Sequence, residues 1–124
     1  MKLYLAAPWV LKHAMPIMAK PFTDAGHTIT ERWWEQEDKY PDYPSNQDNP
    51  ELEDIAVSDF IGVINADALV VFNSAKSEGK AAEVGIGIAC LKPVILIGAR
   101  TNIFHYMPNV HPVKDTTEAL AILE

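Results

Sequence analysis

The chain has 124 residues, 48% of them hydrophobic, and a formal net charge of −7, which fits one domain with a substantial core. The acidic balance argues against a nucleic-acid polymer as partner, because binding one requires a basic surface that neutralises phosphates. The single cysteine, Cys90, excludes an internal disulfide, and its apolar surroundings predict an inert core thiol. Neither a signal peptide nor an apolar run long enough to span a membrane is visible, so we expect a cytoplasmic protein.

The first part of the chain predicts two strands with a helix between them. The strands are the apolar run Lys2–Ala7 and the β-branched run His27–Thr30. We expect the helix within Val10–Ala25, where Pro16 and Pro21 would bend or delay it because each lacks a backbone donor.

A polar stretch, Glu35–Pro50, then predicts a loop of the kind that often forms a lid or binds ligands. A helix follows from Pro50-Glu51 to about Ile64, with Asn49 as a plausible N-cap. The continuous apolar run that Asp67 opens, ending at Phe72, indicates a parallel strand covered on both faces.

A second apolar helix is expected from Gly79 to about Leu91, and its composition predicts that it is mostly buried. Pro93–Ile97 and Val110–Val113 complete the strands, and Asp115–Glu118 has the form of a capping box that begins a last helix. This alternation predicts a single α/β domain over residues 1–124, a doubly wound parallel sheet of four to five strands that is Rossmann-like or flavodoxin-like. Ligands bind beyond the carboxyl ends of such strands.

Glu83 lies inside the second apolar helix, where burying an unpaired carboxylate costs several kcal/mol, roughly. A carboxylate in a partly dry pocket suits a nucleophile or charge stabiliser, although Glu83 could instead satisfy loop amides. Tyr4, in the middle of the first strand, needs a hydroxyl partner if buried, and Glu83 is a candidate; a plain core role is the alternative. Asp59 and Asp67 are further candidates, with a solvated helix face and a capped turn as their respective alternatives.

Ser77 and Gly79 lead into a helix N-terminus, which can bind an anion through backbone amides, or can simply form a polar turn. The spacing of a Walker P-loop is absent. Trp9, Trp33 and Trp34 follow predicted strands and could stack on a nucleobase, although packing is the commoner use. The four histidines have no metal-ligand spacing, so we expect no metal.

Three segments resemble the nucleoside 2-deoxyribosyltransferase family and its nucleotide N-glycoside hydrolase relatives. They are Leu3-Tyr4-Leu5-Ala6-Ala7-Pro8-Trp9, the segment from Asp59 through Asn65-Ala66-Asp67 to Val71, and Gly79-Lys80-Ala81-Ala82-Glu83-Val84-Gly85 with the residues after it. The resemblance implies cleavage of an N-glycosidic bond with Glu83 as nucleophile, Tyr4 orienting it, and Asp59 holding the sugar hydroxyls or the base. It also implies Trp9 in the base pocket, Asp67, Ser77 and Gly79 among the substrate-binding residues, no cofactor, and a homodimer or higher oligomer.

Base transfer between deoxynucleosides and hydrolysis of nucleoside 5′-monophosphates both remain open. Ser77 stands where the transferases tend to carry an acid, and so resembles the hydrolases with their phosphate-binding serine. Pro8-Trp9 is closer to the transferases. A non-catalytic nucleotide-binding module is a third alternative. The loop Glu35–Pro50 and the segment Arg100–Pro108 are expected to decide base preference.

Overall fold

A computed structural model describes residues 1–36 and 50–124 of the chain. Five strands and four α-helices alternate along these described residues, with three 3₁₀ helices in the connections. The elements are β1 (Lys2–Ala6), a 3₁₀ helix (Trp9–Ala14), α1 (Met15–Asp24), β2 (Thr28–Ile29), a 3₁₀ helix (Trp33–Glu35), α2 (Pro50–Asn65), β3 (Ala68–Phe72), α3 (Glu78–Ala89), β4 (Val94–Ile97), a 3₁₀ helix (Ile103–Tyr106), β5 (Val110–Val113) and α4 (Thr116–Ile122).

The described strands form one all-parallel sheet in the order β2-β1-β3-β4-β5. This confirms the predicted doubly wound α/β fold, and the order is the flavodoxin-like one. The chain winds outward in both directions from the β1–β3 pair, in which Tyr4 lies opposite Leu69. In sheets of this kind, ligands bind outside the carboxyl ends of the two strands at which the winding direction reverses, here β1 and β3.

The core confirms that β3 is covered on both faces, since all five of its residues are buried. Helices α2 and α3 pack against each other and against β1. Gly87 allows α3 to lie close to the sheet, because a Cβ there would come within 2.7 Å of the Leu69 side chain. The sheet thus fixes the helix that carries Glu83.

The predicted first helix is divided. Trp9–Ala14 is a 3₁₀ helix, and the α-helix begins only at Met15. Pro16 lies in the first turn, where no helical carbonyl needs its missing N–H, while Pro21 lies inside the helix. The proposed N-cap Asn49 and all but the ends of the predicted loop Glu35–Pro50 lie outside the described residues.

The expectation that the α3 segment is mostly buried is wrong. Ala81, Ala82, Gly85 and Ala89 are exposed, and burial is confined to a stripe of Lys80, Val84, Gly87 and Ile88. The expected core position of Cys90 is wrong for the same reason, since this thiol is exposed at the end of the helix. A run of small apolar residues indicates little about burial, because leaving alanine and glycine in water costs little.

Among residues 1–36 and 50–124, no helix combines the length and the apolar composition needed to cross a membrane.

Candidate active site

The centre of the site is a hydrogen bond between Tyr4 and Glu83. Tyr4 lies fully buried in β1, and its hydroxyl donates to Oε2 of Glu83 in the second turn of α3. The pairing suggested by the sequence is therefore present. It lies where the chain reverses its winding direction, beside the carboxyl ends of β1 and β3.

Burial raises the pKa of Glu83 from 4.5 to about 7. The hydrogen bond from Tyr4 lowers this pKa and the nearby charge of Asp59 raises it, but desolvation is the largest effect. The pKa of Tyr4 is raised far above its ordinary value by burial and by the charge of Glu83. Tyr4 is therefore a fixed donor, and Glu83 is the member of the pair that titrates near neutral pH.

Asp59 lies on α2 and faces the same pair. Its pKa is raised from 3.8 to about 6, first by burial and then by the negative charge of Glu31. A hydrogen bond from Nε2 of Gln36, at 3.3 Å, acts in the opposite direction. The charge of Asp59 in turn raises the pKa of Glu83, so ionisation of Asp59 makes ionisation of Glu83 less favourable.

Glu31 is a site residue that the sequence did not single out. It follows β2, and its Cβ lies 2.7 Å from the position that a Cβ on Gly62 would occupy. The Tyr4 ring lies 3.1 Å from the same position, so Gly62 makes room for both side chains against α2. A glycine inside a helical pattern is the sequence signal that could have indicated this close approach.

The beginning of α3 is a capped helix terminus beside the site. Oγ of Ser77 accepts from the backbone N–H of Lys80 at 3.3 Å, and a Cβ on Gly79 would meet open space. The buried Lys80 Nζ donates to Oδ1 of Asn73 at 2.6 Å and to the carbonyl of Ala75. Sequence reasoning missed Lys80, which holds the loop before α3 in place.

Trp9 follows β1 and is 44% exposed. Its ring lies 5.9 Å from the ring of Trp33, centroid to centroid, and Nζ of Lys12 lies 4.6 Å above it. Trp33 and Trp34 are both buried, and Nε1 of Trp33 donates to the carbonyl of Leu5 at 2.7 Å. Trp33 and Trp34 therefore serve packing, whereas Trp9 keeps part of its face open.

Asp67 is not brought to the site. It precedes β3 at the amino end of the sheet, where its Oδ2 accepts from the backbone N–H of Lys2 at 2.7 Å. The Tyr4–Glu83 pair lies toward the opposite, carboxyl ends of the strands. Asp67 thus occupies the local capping position that was its alternative interpretation.

Within the described ranges, no three His, Cys, Asp or Glu side chains are grouped so that they could hold a metal ion. The site brings together the carboxyls of Glu83 and Asp59 and the hydroxyl of Tyr4.

Comparisons with known proteins find a match only among solved structures. No protein-family model and no curated protein matches the chain. The chain is similar to a CMP N-glycosidase of Clostridium botulinum, BcmB, with a TM-score of 0.66 and 17% sequence identity over 99% of this chain and 98% of that one. At this identity the likeness establishes the fold, an α/β domain built on a five-stranded parallel sheet.

Proposed function

We propose that the protein cleaves the N-glycosidic bond of a nucleotide through a covalent glycosyl intermediate on Glu83. The observation that carries this proposal is the buried Tyr4–Glu83 hydrogen bond at the β1–β3 crevice, with Asp59 beside it. A nucleophilic carboxylate and a second carboxyl that supplies a proton are the two groups that retaining glycoside cleavage requires. The fold shared with an N-glycosidase is consistent with this chemistry.

In the first step, an ionised oxygen of Glu83 attacks the anomeric carbon while the bond to the base nitrogen breaks. The electron pair of that bond stays on the base, and the carboxyl of Asp59 gives the base its proton. Tyr4 keeps its hydrogen bond to Glu83 and orients the attacking carboxylate. In the second step, water attacks the anomeric carbon, its proton returns to Asp59, and Glu83 leaves as a carboxylate.

The substrate class that we propose is a nucleoside 5′-monophosphate. Ser77 caps α3 and Gly79 leaves open space, so the first turn offers backbone N–H groups and the positive end of the helix dipole to an anion. Lys80 holds the loop before this turn in place through its hydrogen bond to Asn73. The solved N-glycosidase of the same fold acts on CMP, as its name states.

Base exchange is the second candidate, and the half-open ring of Trp9 favours it. An exposed indole after β1 could hold an incoming base by stacking while the sugar stays on Glu83. In that case the ring nitrogen of a second base, rather than water, attacks the anomeric carbon and passes its proton to Asp59.

The proposal is tested by incubating the protein with CMP, dCMP and dGMP and following the release of free base by chromatography. We expect release from the monophosphates and little from the matching nucleosides. Glu83→Ala should lower kcat by about 1,000-fold or more, because it removes the nucleophile. Asp24→Ala, which removes an exposed carboxylate on α1, is the control that should keep full activity.

Three outcomes separate the alternatives. Appearance of a new nucleoside when a foreign base is added would favour base exchange. Saturable binding in calorimetry without turnover of any nucleoside or nucleotide would indicate that the protein is a non-catalytic nucleotide-binding module. An active Glu83→Ala variant would refute the covalent mechanism.

We also propose that the working form is a homodimer joined through α2. Val57, Phe60, Ile61 and Ile64 form an exposed apolar stripe at positions i, i+3, i+4 and i+7, on the side of α2 that faces away from Asp59. Leu91, 78% exposed in a left-handed backbone conformation at φ 58°, extends the apolar surface near the end of α2.

Charge favours a second copy as the occupant of this stripe. The first turns of α2 carry Glu53 and Asp54, and Nζ of Lys92 binds the carbonyls of Ile64 and Ala66 at the other end, at 2.8 and 2.6 Å. Two α2 helices packed antiparallel about a two-fold axis therefore bring acids of each copy to the lysine of the other.

A further inference from the structure

Hydrogen bonds of the preceding residue hold Glu31 close to the sheet and to α2. Oγ1 of Thr30 donates to the carbonyl of Gly62 at 2.7 Å, and the backbone N–H of Thr30 donates to the carbonyl of Leu3 at 2.9 Å. These bonds hold the chain after β2 between β1 and α2. Glu31 is therefore fixed against Gly62, one helical turn from Asp59 on the same face of α2.

The position of Glu31 disfavours the charged form of its side chain. Burial raises its pKa, and the neighbouring charge of Glu35 raises it further. Its own charge in turn acts on Asp59 and on Tyr4. A carboxylate held where its charged form is disfavoured, and where its charge raises the pKa of a second carboxyl, suggests a purpose other than folding.

We infer that Glu31 is a positioning residue: held against Gly62, it acts through its charge on Asp59 and keeps there the proton that the leaving base must receive. This inference rests on the proposed function, in which Asp59 is the acid. Glu31 contacts neither the anomeric carbon nor the base in this scheme. Its effect is to increase the fraction of Asp59 that carries a proton near neutral pH above that of an isolated aspartate.

The described groups that face Asp59 come from four elements. Glu31 after β2 opposes its ionisation, Gln36 donates a hydrogen bond that favours it, and Glu83 on α3 has its own pKa raised by the charge of Asp59. Tyr4 on β1 is neutral and is committed to Glu83. Among residues 1–36 and 50–124, no cation is a cause of the pKa shift of Asp59. Removing Glu31 therefore does not leave behind a positive charge that would itself change this pKa.

The test is the pH dependence of kcat/KM in Glu31→Gln, with Asp24→Asn as a control of the same charge change. Glu31→Gln should lower kcat/KM on the alkaline limb more than on the acid limb, because less of Asp59 is then protonated at high pH. We expect kcat/KM to fall about 5–10-fold at pH 7.5 and to stay within about twofold at pH 5.5, with KM nearly unchanged. An alkaline limb that coincides with wild type would overturn the inference.

A second measurement needs neither substrate nor turnover. Carboxyl ¹³C NMR titration should show the midpoint of Asp59 falling in Glu31→Gln and staying in place in Asp24→Asn. If Glu31→Gln does not fold, the wild-type titration decides: shared two-step curves for Glu31 and Asp59 support the inference, and independent single-step curves refute it. A chain that lacks N-glycosidase activity but shows the midpoint shift refutes the proposed function while supporting the link between the two carboxyls.

Discussion

At the residue scale, the site places a carboxyl where it is poorly solvated and then supplies one donor for its ionised form. Burial and the hydrogen bond from Tyr4 act on Glu83 in opposite directions, and burial is the stronger. The result is a group that is neither a permanent anion nor a permanent acid near pH 7. Such a group can attack a sugar and then leave it, which a fully stabilised carboxylate does less readily.

This arrangement predicts a stability that falls as the pH rises. The folded pKa of Glu83, about 7, exceeds the unfolded value near 4.5, so the folded chain holds an extra proton between these values. Stability contributed by the protonated form is complete below about pH 4.5 and is lost as pH rises through about 7. At pH 8, the free energy of unfolding of Glu83→Gln should therefore be about 1–3 kcal/mol higher than that of wild type. At pH 5 the variant should show little gain.

Urea titrations of both chains at the two pH values check this. An equal gain at pH 5 and pH 8 would mean that packing, rather than charge, distinguishes the glutamine. If Glu83→Gln were less stable than wild type at pH 8, that result would contradict the desolvation of Glu83.

Individual residues show how much of the candidate site could be predicted from the sequence. Glu83 could be recognised because a charge within an apolar helix stands out, and Tyr4 because a tyrosine in a buried strand needs a partner. Glu31 could not, since its importance depends on a contact with Gly62 across 31 positions of chain. Asp67 precedes its strand, so its sequence position already indicated the amino end of the sheet, away from the ends of the strands where ligands bind.

At the element scale, the site depends on how closely α2 approaches the sheet. Gly62 is the contact point, with Glu31 and the Tyr4 ring on the two sides of the space where a Cβ would lie. The alternation of strands and helices was readable because buried parallel strands form continuous apolar runs. The split of the first helix and the exposure of α3 were not, because they depend on which side of each helix meets the sheet.

Gly62→Ala should therefore destabilise the chain, while Gly85→Ala should not. Both changes replace a glycine inside a helix and gain about 1 kcal/mol in helix propensity. Only the first forces a Cβ to within 3.1 Å of its neighbours, whereas at Gly85 the added Cβ meets nothing within 4 Å. We expect Gly62→Ala to be less stable than Gly85→Ala by about 1–3 kcal/mol, measured as free energy of unfolding in urea.

The activity of Gly62→Ala adds a second readout. Because the new methyl group pushes on Glu31 and Tyr4, base release should fall even at temperatures where the variant is fully folded. Two glycine variants of equal stability would show that α2 can move away from the sheet at little cost.

At the scale of the whole molecule, an acidic chain presents an uncharged stripe on one helix. Val57, Phe60, Ile61 and Ile64 are each 38–49% exposed. Packing of this stripe against its copy would remove four apolar side chains from water, which is the driving force that the proposed dimer requires.

Ile61→Glu should convert the dimer into a monomer. The change places like charges at the centre of a two-fold contact, where each copy meets the other. Ile122→Glu is the matched control, because Ile122 on α4 is 49% exposed and Ile61 is 48% exposed. Sedimentation velocity should give the dimer mass for wild type and for Ile122→Glu, and the monomer mass for Ile61→Glu.

A wild-type chain that sediments as a monomer at all concentrations would refute the dimer. So would an Ile61→Glu variant that keeps the dimer mass, since a buried glutamate pair at the axis is incompatible with the proposed contact.

The exposed thiol of Cys90 gives the molecule a single chemical handle. The chain has one cysteine, it lies at the end of α3, and it is accessible. A maleimide spin label or fluorophore can therefore be attached at one defined point of the helix that carries Glu83, without removing any other thiol. In a dimer each assembly would carry two labels, so one intermolecular distance would report the relative placement of two active sites in solution.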